Sequence, residues 1–192
     1  GYRKYNEESL IRMNLRLKHH NDKVKGLVYG LNINSGYTVK TDFVLWEDAT
    51  YGALKQDTGT VSKLHGTYLT VDPYISYKNS GRFTHDLRGR FQLSNNKFPV
   101  RTEDNSDGYS FYSEYQMHYN VSDLLSITAG LTENYSKVVS NFYGDHTGLN
   151  IAGFTQVELN PLPRIKLVAG MRVEQNTLDE IRDKVVPIFR TG

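Results

Sequence analysis

The sequence predicts an all-β protein, an antiparallel up-and-down meander of about eight to nine strands forming part of a transmembrane β-barrel. Three observations carry this expectation. Apolar residues recur at every second position over most of the chain, the period of a strand with two unlike faces. Tight turns by composition occupy every second connection, and longer polar stretches occupy the others. Interface-seeking aromatics are abundant, with 14 Tyr and 8 Phe, while the three-to-four spacing of an amphipathic helix is nowhere sustained.

The first strand alternates Ile11, Met13, Leu15 and Leu17 with Arg12, Asn14, Arg16 and Lys18. The turn His20, Asn21, Asp22, Lys23 follows, rich in residues that favour tight turns. Leu27, Tyr29, Leu31, Ile33, Tyr37, Val39, Phe43 and Leu45 then share one phase, broken only by Ser35 and Thr41. That run is too long for one bilayer crossing, so its second half is expected to continue above the membrane into a long loop over about 41–65. Leu69, Val71, Ile75 and Tyr77 form the next run and end at a turn over Lys78, Asn79, Ser80 and Gly81.

The stretch 82–94, RFTHDLRGRFQLS, shows the alternation most clearly: Phe83, His85, Leu87, Gly89, Phe91 and Leu93 share one face. Its other face carries Asp86, Arg88 and Arg90. After a polar stretch over 95–107, Tyr109, Phe111, Tyr115, Met117, Tyr119 and Val121 alternate with Ser110, Tyr112, Glu114, Gln116, His118 and Asn120. Leu125, Ile127, Ala129 and Leu131 come next, then a longer connection over 137–147. Leu149, Ile151, Val157 and Leu159 lead into the Asn160, Pro161, Leu162, Pro163 turn, and Ile165, Leu167, Ala169, Met171 and Val173 follow it. Beyond the polar stretch 177–184, a further strand begins near Val185.

Loop sorting favours a barrel with short turns at one rim and long loops at the other over a sandwich with Greek-key links. Spacing agrees. Tyr109 and Tyr119 lie ten residues apart on one face, which at a tilt near 45° is about 23 Å along the membrane normal. The apolar band between the aromatic girdles of such barrels is about 25 Å tall. Leu87 and Phe91 are therefore expected to face lipid, and Arg88 and Arg90 a wet lumen. The strand count and the lack of usual punctuation at either end lead us to expect that residues 1–192 are a fragment of a single barrel domain, with no second domain.

Several segments resemble the barrel strands of TonB-dependent outer-membrane receptors: VDPYISY (71–77), HDLRGRF (85–91), LNIAGFTQVELNPLPRIKLVAGMRVE (149–174) and VVPIFRTG (185–192). Ala169, Gly170, Arg172 and Glu174 match an A-G-x-R-x-E pattern that follows an N-P-L turn in that family. The resemblance implies a 22-stranded barrel around an amino-terminal plug in the outer membrane of a Gram-negative bacterium. It implies import of a scarce nutrient, such as an iron chelate, cobalamin or a glycan, powered through TonB. Neither a plug nor a TonB-contacting segment is visible in this sequence, so the chain is expected to supply wall and loops, about two-fifths of such a barrel. Its expected partners are outer-membrane lipid, the plug, TonB acting through the plug, and the cargo.

Candidate residues fall in two groups. Asp86, Arg88, Arg90, Glu114, Gln116, Arg172 and Glu174 lie on the polar phase of their strands and are expected to face the lumen and dock the plug. The plainer reading of these charges is a salt-bridged wall. Trp46, Tyr51, Phe142 and Tyr143 lie in the long connections and offer rings for stacking on a sugar or an aromatic chelator. The plainer alternative for them is an upper girdle or loop self-packing.

Other chemistry is not expected. Cysteine is absent, which removes disulfides, thiolate ligands and cysteine nucleophiles. The six histidines are scattered without the i, i+4 spacing of a helical zinc site. Asp104 to Gly108 reads DNSDG but lacks the later ligands of a calcium loop. No G-x-S-x-G, H-E-x-x-H or P-loop occurs, so neither a catalytic residue nor a cofactor is expected. Leu87 to Phe91 faintly echoes an RNA-binding strand, yet a net charge of +2 gives no pull toward nucleic acid. Two rivals remain: a self-contained small barrel with a structural or adhesive role, and a soluble carbohydrate-binding β-sandwich.

Overall fold

A computed structural model describes residues 7–43, 45–50, 55–78, 81–162 and 164–192. The strands are β1 (Glu8–His20), β2 (Leu27–Asp42), β3 (Ser62–Lys78), β4 (Phe83–Lys97), β5 (Ser106–Asn120), β6 (Leu125–Ser140), β7 (His146–Leu162), β8 (Ile165–Leu178), β9 (Ile181–Arg182) and β10 (Val186–Thr191). They form one antiparallel sheet in the order β1-β2-β3-β4-β5-β6-β7-β8-β10, with the two-residue β9 also paired to β8. The chain is thus an all-β up-and-down meander, as the alternation predicts. Its edges are β1 and β10, and no pairing among the described residues closes the one on the other.

Register explains why the faces differ. Directly opposed residues share a face, and the register puts apolar against apolar: Leu15 with Ile33, Ile33 with Val71, Val71 with Phe91, and Phe91 with Phe111. A slip of one residue would carry each of these rows to the other side. The apolar rows are not covered. Ile11 is 73% exposed and Leu131 63%, while Ala152 is the one buried hydrophobic residue among those described. Among the described residues the sheet has no second layer and therefore no enclosed core, which departs from the sandwich alternative.

The strands run further than the sequence reading has them. β3 and β7 each contain 17 residues. At about 3.3 Å per residue and a tilt near 45°, such a strand rises about 40 Å, against ~30 Å of hydrocarbon. The stretches 95–107 and 137–147 are accordingly shortened to connections at 98–105 and 141–145, because ladder pairing continues out to Asn96–Ser106 and Val138–His146. The asymmetry between the rims persists in weaker form. The connections that follow β1, β3, β5 and β7 are short and mark one end, and the connection between β2 and β3 is the longest at the other. The run starting at Leu27 is one strand to Asp42, and Leu45 lies beyond it in that connection.

The first short turn shows how local chemistry sets the rim. The Asn21 side-chain oxygen accepts from the backbone N–H groups of Lys23 and Val24 at 2.9 and 2.8 Å, an Asx turn. Gly26 then adopts a φ of +83°, and a Cβ there would stand 2.0 Å from the Lys78 carbonyl oxygen. Glycine is required at that position on both counts.

Candidate functional site

The polar face is a continuous wall. One row crosses most of the sheet: Asn32 opposes Asp72, Arg90 opposes Tyr112, and Asn134, Asn150 and Asn176 follow in turn. Between β3 and β4 the row is held by a bidentate ion pair, with Arg90 Nε on Asp72 Oδ1 at 2.7 Å and Nη2 on Oδ2 at 2.9 Å. The β3–β4 register is interrupted at Asp72 and Pro73. Proline has no N–H to give to the ladder, so the side-chain clamp bridges the place where backbone pairing lapses. Further along, Asn150 Nδ2 donates to Asn176 Oδ1 at 2.5 Å.

A second cluster lies on the same face across β5, β6 and β8. Tyr112 Oη donates to Glu114 Oε2 at 2.5 Å. Arg172 Nε donates to Glu174 Oε2 at 2.9 Å, and its Nη2 reaches Thr132 Oγ1 at 3.3 Å. Phe154 stands opposite both Gly130 and Arg172. Between the clusters, a recess of about 620 Å³ is lined by Asp72, Tyr74, Arg88, Arg90, Tyr112 and Glu114, among others. Its sides offer hydrogen-bond donors, acceptors and aromatic faces without one dominant sign of charge.

The sequence-predicted wall residues all sit on this face, but their partners differ in part. Arg172 and Glu174 meet as ion partners two residues apart. Asp86 does not pair with Arg88 or Arg90; it opposes Ser76 and Gln116, while Arg90 turns across to Asp72 on β3. Arg90 meets Asp72 directly across the ladder, about 5 Å away, whereas Asp86 lies four residues off along its own strand, about 13 Å. Glu114 opposes Arg88 in register but is bonded to Tyr112, and Arg88 itself makes no hydrogen bond or ion pair with the described residues. Asp72, Tyr112 and Thr132 are the wall members that sequence reasoning missed. Asp72 had a visible signal, since it lies on the polar phase of VDPYISY, but its strand pairing could not be read.

The loop aromatics do not gather into one site among the described residues. Trp46 packs on Phe43 with ring centroids 4.7 Å apart and bridges to Gln56. Phe142 and Tyr143 form a separate edge-to-face pair at 4.8 Å, exposed at the tip between β6 and β7. Tyr51 lies outside the described residues. On the apolar face beside the short turns, Phe83 stacks on Tyr119 at 4.4 Å, and His85 Nδ1 lies 2.8 Å from Tyr115 Oη. These rings form an aromatic band at the rim where one is expected.

At the opposite rim, His146 Nδ1 lies 2.9 Å from Asp179 Oδ2, and Asp179 Oδ1 accepts from the Thr147 N–H at 2.7 Å. The Asp179 carboxylate raises the His146 pKa above its usual 6.5, helped by the Tyr143 carbonyl. The imidazole and the Thr147 amide in turn lower the Asp179 pKa below 3.8. The start of β7 and the turn after β8 are thereby tied together.

No family model matches the sequence, and no curated protein matches it. Among solved structures, the chain is similar to OmpT, an in-vitro folded outer membrane protein of Vibrio cholerae in trimer form. The TM-score is 0.41 and the identity 12%, over 84% of this chain and 51% of that one. The chain thus spans about half the length of that protein, and likeness at this level assigns no residue a role.

Proposed function

We propose that this chain is a wall segment of an outer-membrane β-barrel, and that the intact protein is a TonB-dependent receptor importing a scarce nutrient. One observation carries the barrel reading: a single-layer meander keeps an uncovered apolar face opposite a continuous polar one. Soluble monomers rarely expose apolar patches beyond a few hundred Å², and lipid is the solvent that makes such a face favourable. In this reading residues 1–192 belong to one barrel domain whose β1 and β10 edges continue into further wall.

The receptor reading rests on the Ala169, Gly170, Arg172, Glu174 pattern and on the character of the wall. Arg172 is fixed by Glu174 and Thr132, and Arg90 by Asp72, which suits a surface that docks a plug in one register. In mechanism, the plug and the loops hold the cargo (an iron chelate, cobalamin or a glycan) until TonB draws the plug aside. Cargo then moves along the polar face, exchanging hydrogen bonds with the asparagine row and the Arg88 recess. In this reading Phe142 and Tyr143, exposed at the tip between β6 and β7, meet it first, with Trp46 beside Phe43 a second exposed ring.

The test is uptake by cells carrying the intact protein, with and without a working TonB system. Receptor function requires that accumulation against a gradient stop when TonB is lost. Uptake that continues passively through the barrel without TonB would refute the receptor reading while leaving the wall intact.

A further inference from the structure

We propose that the free edge of β1 is built to receive a neighbouring strand of the same barrel whose polar face is acidic. The inference rests on the wall-segment reading and adds the charge of the strand that pairs with this edge.

Every residue of β1 is exposed. Its polar row begins with Glu8 and Leu10 at one end and then carries Arg12, Arg16 and Lys18, three cations of which none makes an ion pair or hydrogen bond with the described residues. The strand on its one paired side gives them nothing to meet, since Arg12 opposes Gly36, Arg16 opposes Asn32 and Lys18 opposes Gly30. Beyond Asn32, the carboxylate of Asp72 on β3 is already held by Arg90. Three cations in a row of about 20 Å thus look outward across an unpaired backbone edge. Ile11, Met13, Leu15 and Leu17 continue the apolar face along the same edge, so the strand is amphipathic up to its last unpaired hydrogen-bonding groups.

The other free edge does not fit. On β10 the polar-face residues are Val186, Ile188 and Arg190, opposite Glu174, Arg172 and Gly170. Pairing β1 with β10, within one chain or between two copies, sets cations against apolar groups and a further cation, and supplies no carboxylate. Like charges placed opposite one another destabilise a strand pair, whereas opposite charges stabilise it. The complementary neighbour alternates apolar residues with Asp or Glu.

The test uses the full chain refolded in detergent micelles and three labelled ten-residue peptides. All three share an alternating apolar row, and the second row is Glu, Gln or Lys. Fluorescence anisotropy reads their binding at low salt and in 1 M salt, where the screening length falls to about 3 Å. The proposal expects the Glu peptide to bind at least about tenfold more tightly than the Gln peptide and the Lys peptide most weakly, with the gaps shrinking in 1 M salt. In a triple Arg12→Gln, Arg16→Gln, Lys18→Gln chain the preference should vanish while binding of the Gln peptide persists. Equal binding of all three peptides overturns the charge inference and leaves the wall reading standing. Binding of none overturns it too, and makes the cationic row a device that blunts the edge. The wild-type comparison needs no variant to fold.

Discussion

Gly130, in the interior of the sheet, is a position where a single methyl group should do clear damage. A Cβ there would stand 2.5 Å from the Tyr115 carbonyl oxygen on β5 and 2.5 Å from Phe154 Cζ on β7. An ordinary carbon–oxygen contact is about 3.3 Å or longer, so a neighbour must retreat by about 0.8 Å. The Phe154 ring can turn aside. The Tyr115 carbonyl belongs to a ladder paired on both sides and cannot. Overpacking of this kind costs about 1–3 kcal/mol, against a gain of ~0.4–1 kcal/mol from a stiffer unfolded chain.

Gly153 supplies the internal control. The same Cβ there meets only Leu131 Cδ2 at 3.4 Å and the Gly130 carbonyl at 4.0 Å, which is normal packing. Gly153→Ala should therefore be neutral or stabilising by up to ~1 kcal/mol, and Gly130→Ala should fall at least about 1 kcal/mol below it. Urea titrations in detergent micelles followed by far-ultraviolet circular dichroism read the difference. A double Gly130→Ala, Phe154→Leu chain should recover only part of the loss, because the carbonyl contact remains. If Gly130→Ala is as stable as Gly153→Ala, the tight approach of β5, β6 and β7 described here is wrong.

Three further outcomes follow. Leu131→Arg places a charge in the middle of the apolar face and should cost about 2–4 kcal/mol in lipid vesicles, whereas an exposed site in water would change by ~0.5 kcal/mol or less; unfolding midpoints in vesicles decide. Asp72→Asn removes the clamp on Arg90, whose side chain is 54% exposed; a partly exposed pair of this kind should cost under about 1 kcal/mol, so a loss of several kcal/mol would mean the wall is drier than it looks. The His146–Asp179 tie depends on pH from both sides. Its histidine share is full below 6.5 and lost as pH rises through the raised folded value, and its aspartate share is full above 3.8 and lost as pH falls through the lowered one. The protection of the Thr147 amide, exchange measured relative to its intrinsic rate at each pH, should be greatest between these limits, and Asp179→Asn should flatten the profile.

The two faces of the sheet were legible before any coordinates because alternation reports which side a residue occupies. The all-β class follows from that, and the sorting of short and long connections added the up-and-down order. Pairing between strands was not legible, because it depends on register, and this is why Asp86 was expected beside Arg88 and Arg90 when Asp72 holds Arg90. Strand length was underestimated for a related reason. Polar residues such as Asn95, Asn96, Ser106 and Asp107 read as loop, yet they pair as Asn96–Ser106 and Asn95–Asp107 because the ladder continues past its last apolar pair, Leu93–Tyr109. The Gly130 approach has no sequence signature at all, since one glycine in a strand looks like another until its neighbours are placed.

The account turns on which face meets lipid. The chain has no cysteine, so one introduced thiol carries one bimane label. Labels at Leu87→Cys and Phe91→Cys, and at Arg88→Cys and Gln92→Cys, should be compared in vesicles with brominated acyl chains and then with aqueous iodide. The account predicts that the first pair is quenched by the brominated lipid and the second pair by iodide. Equal quenching of all four by iodide, or the reverse pattern, would contradict it.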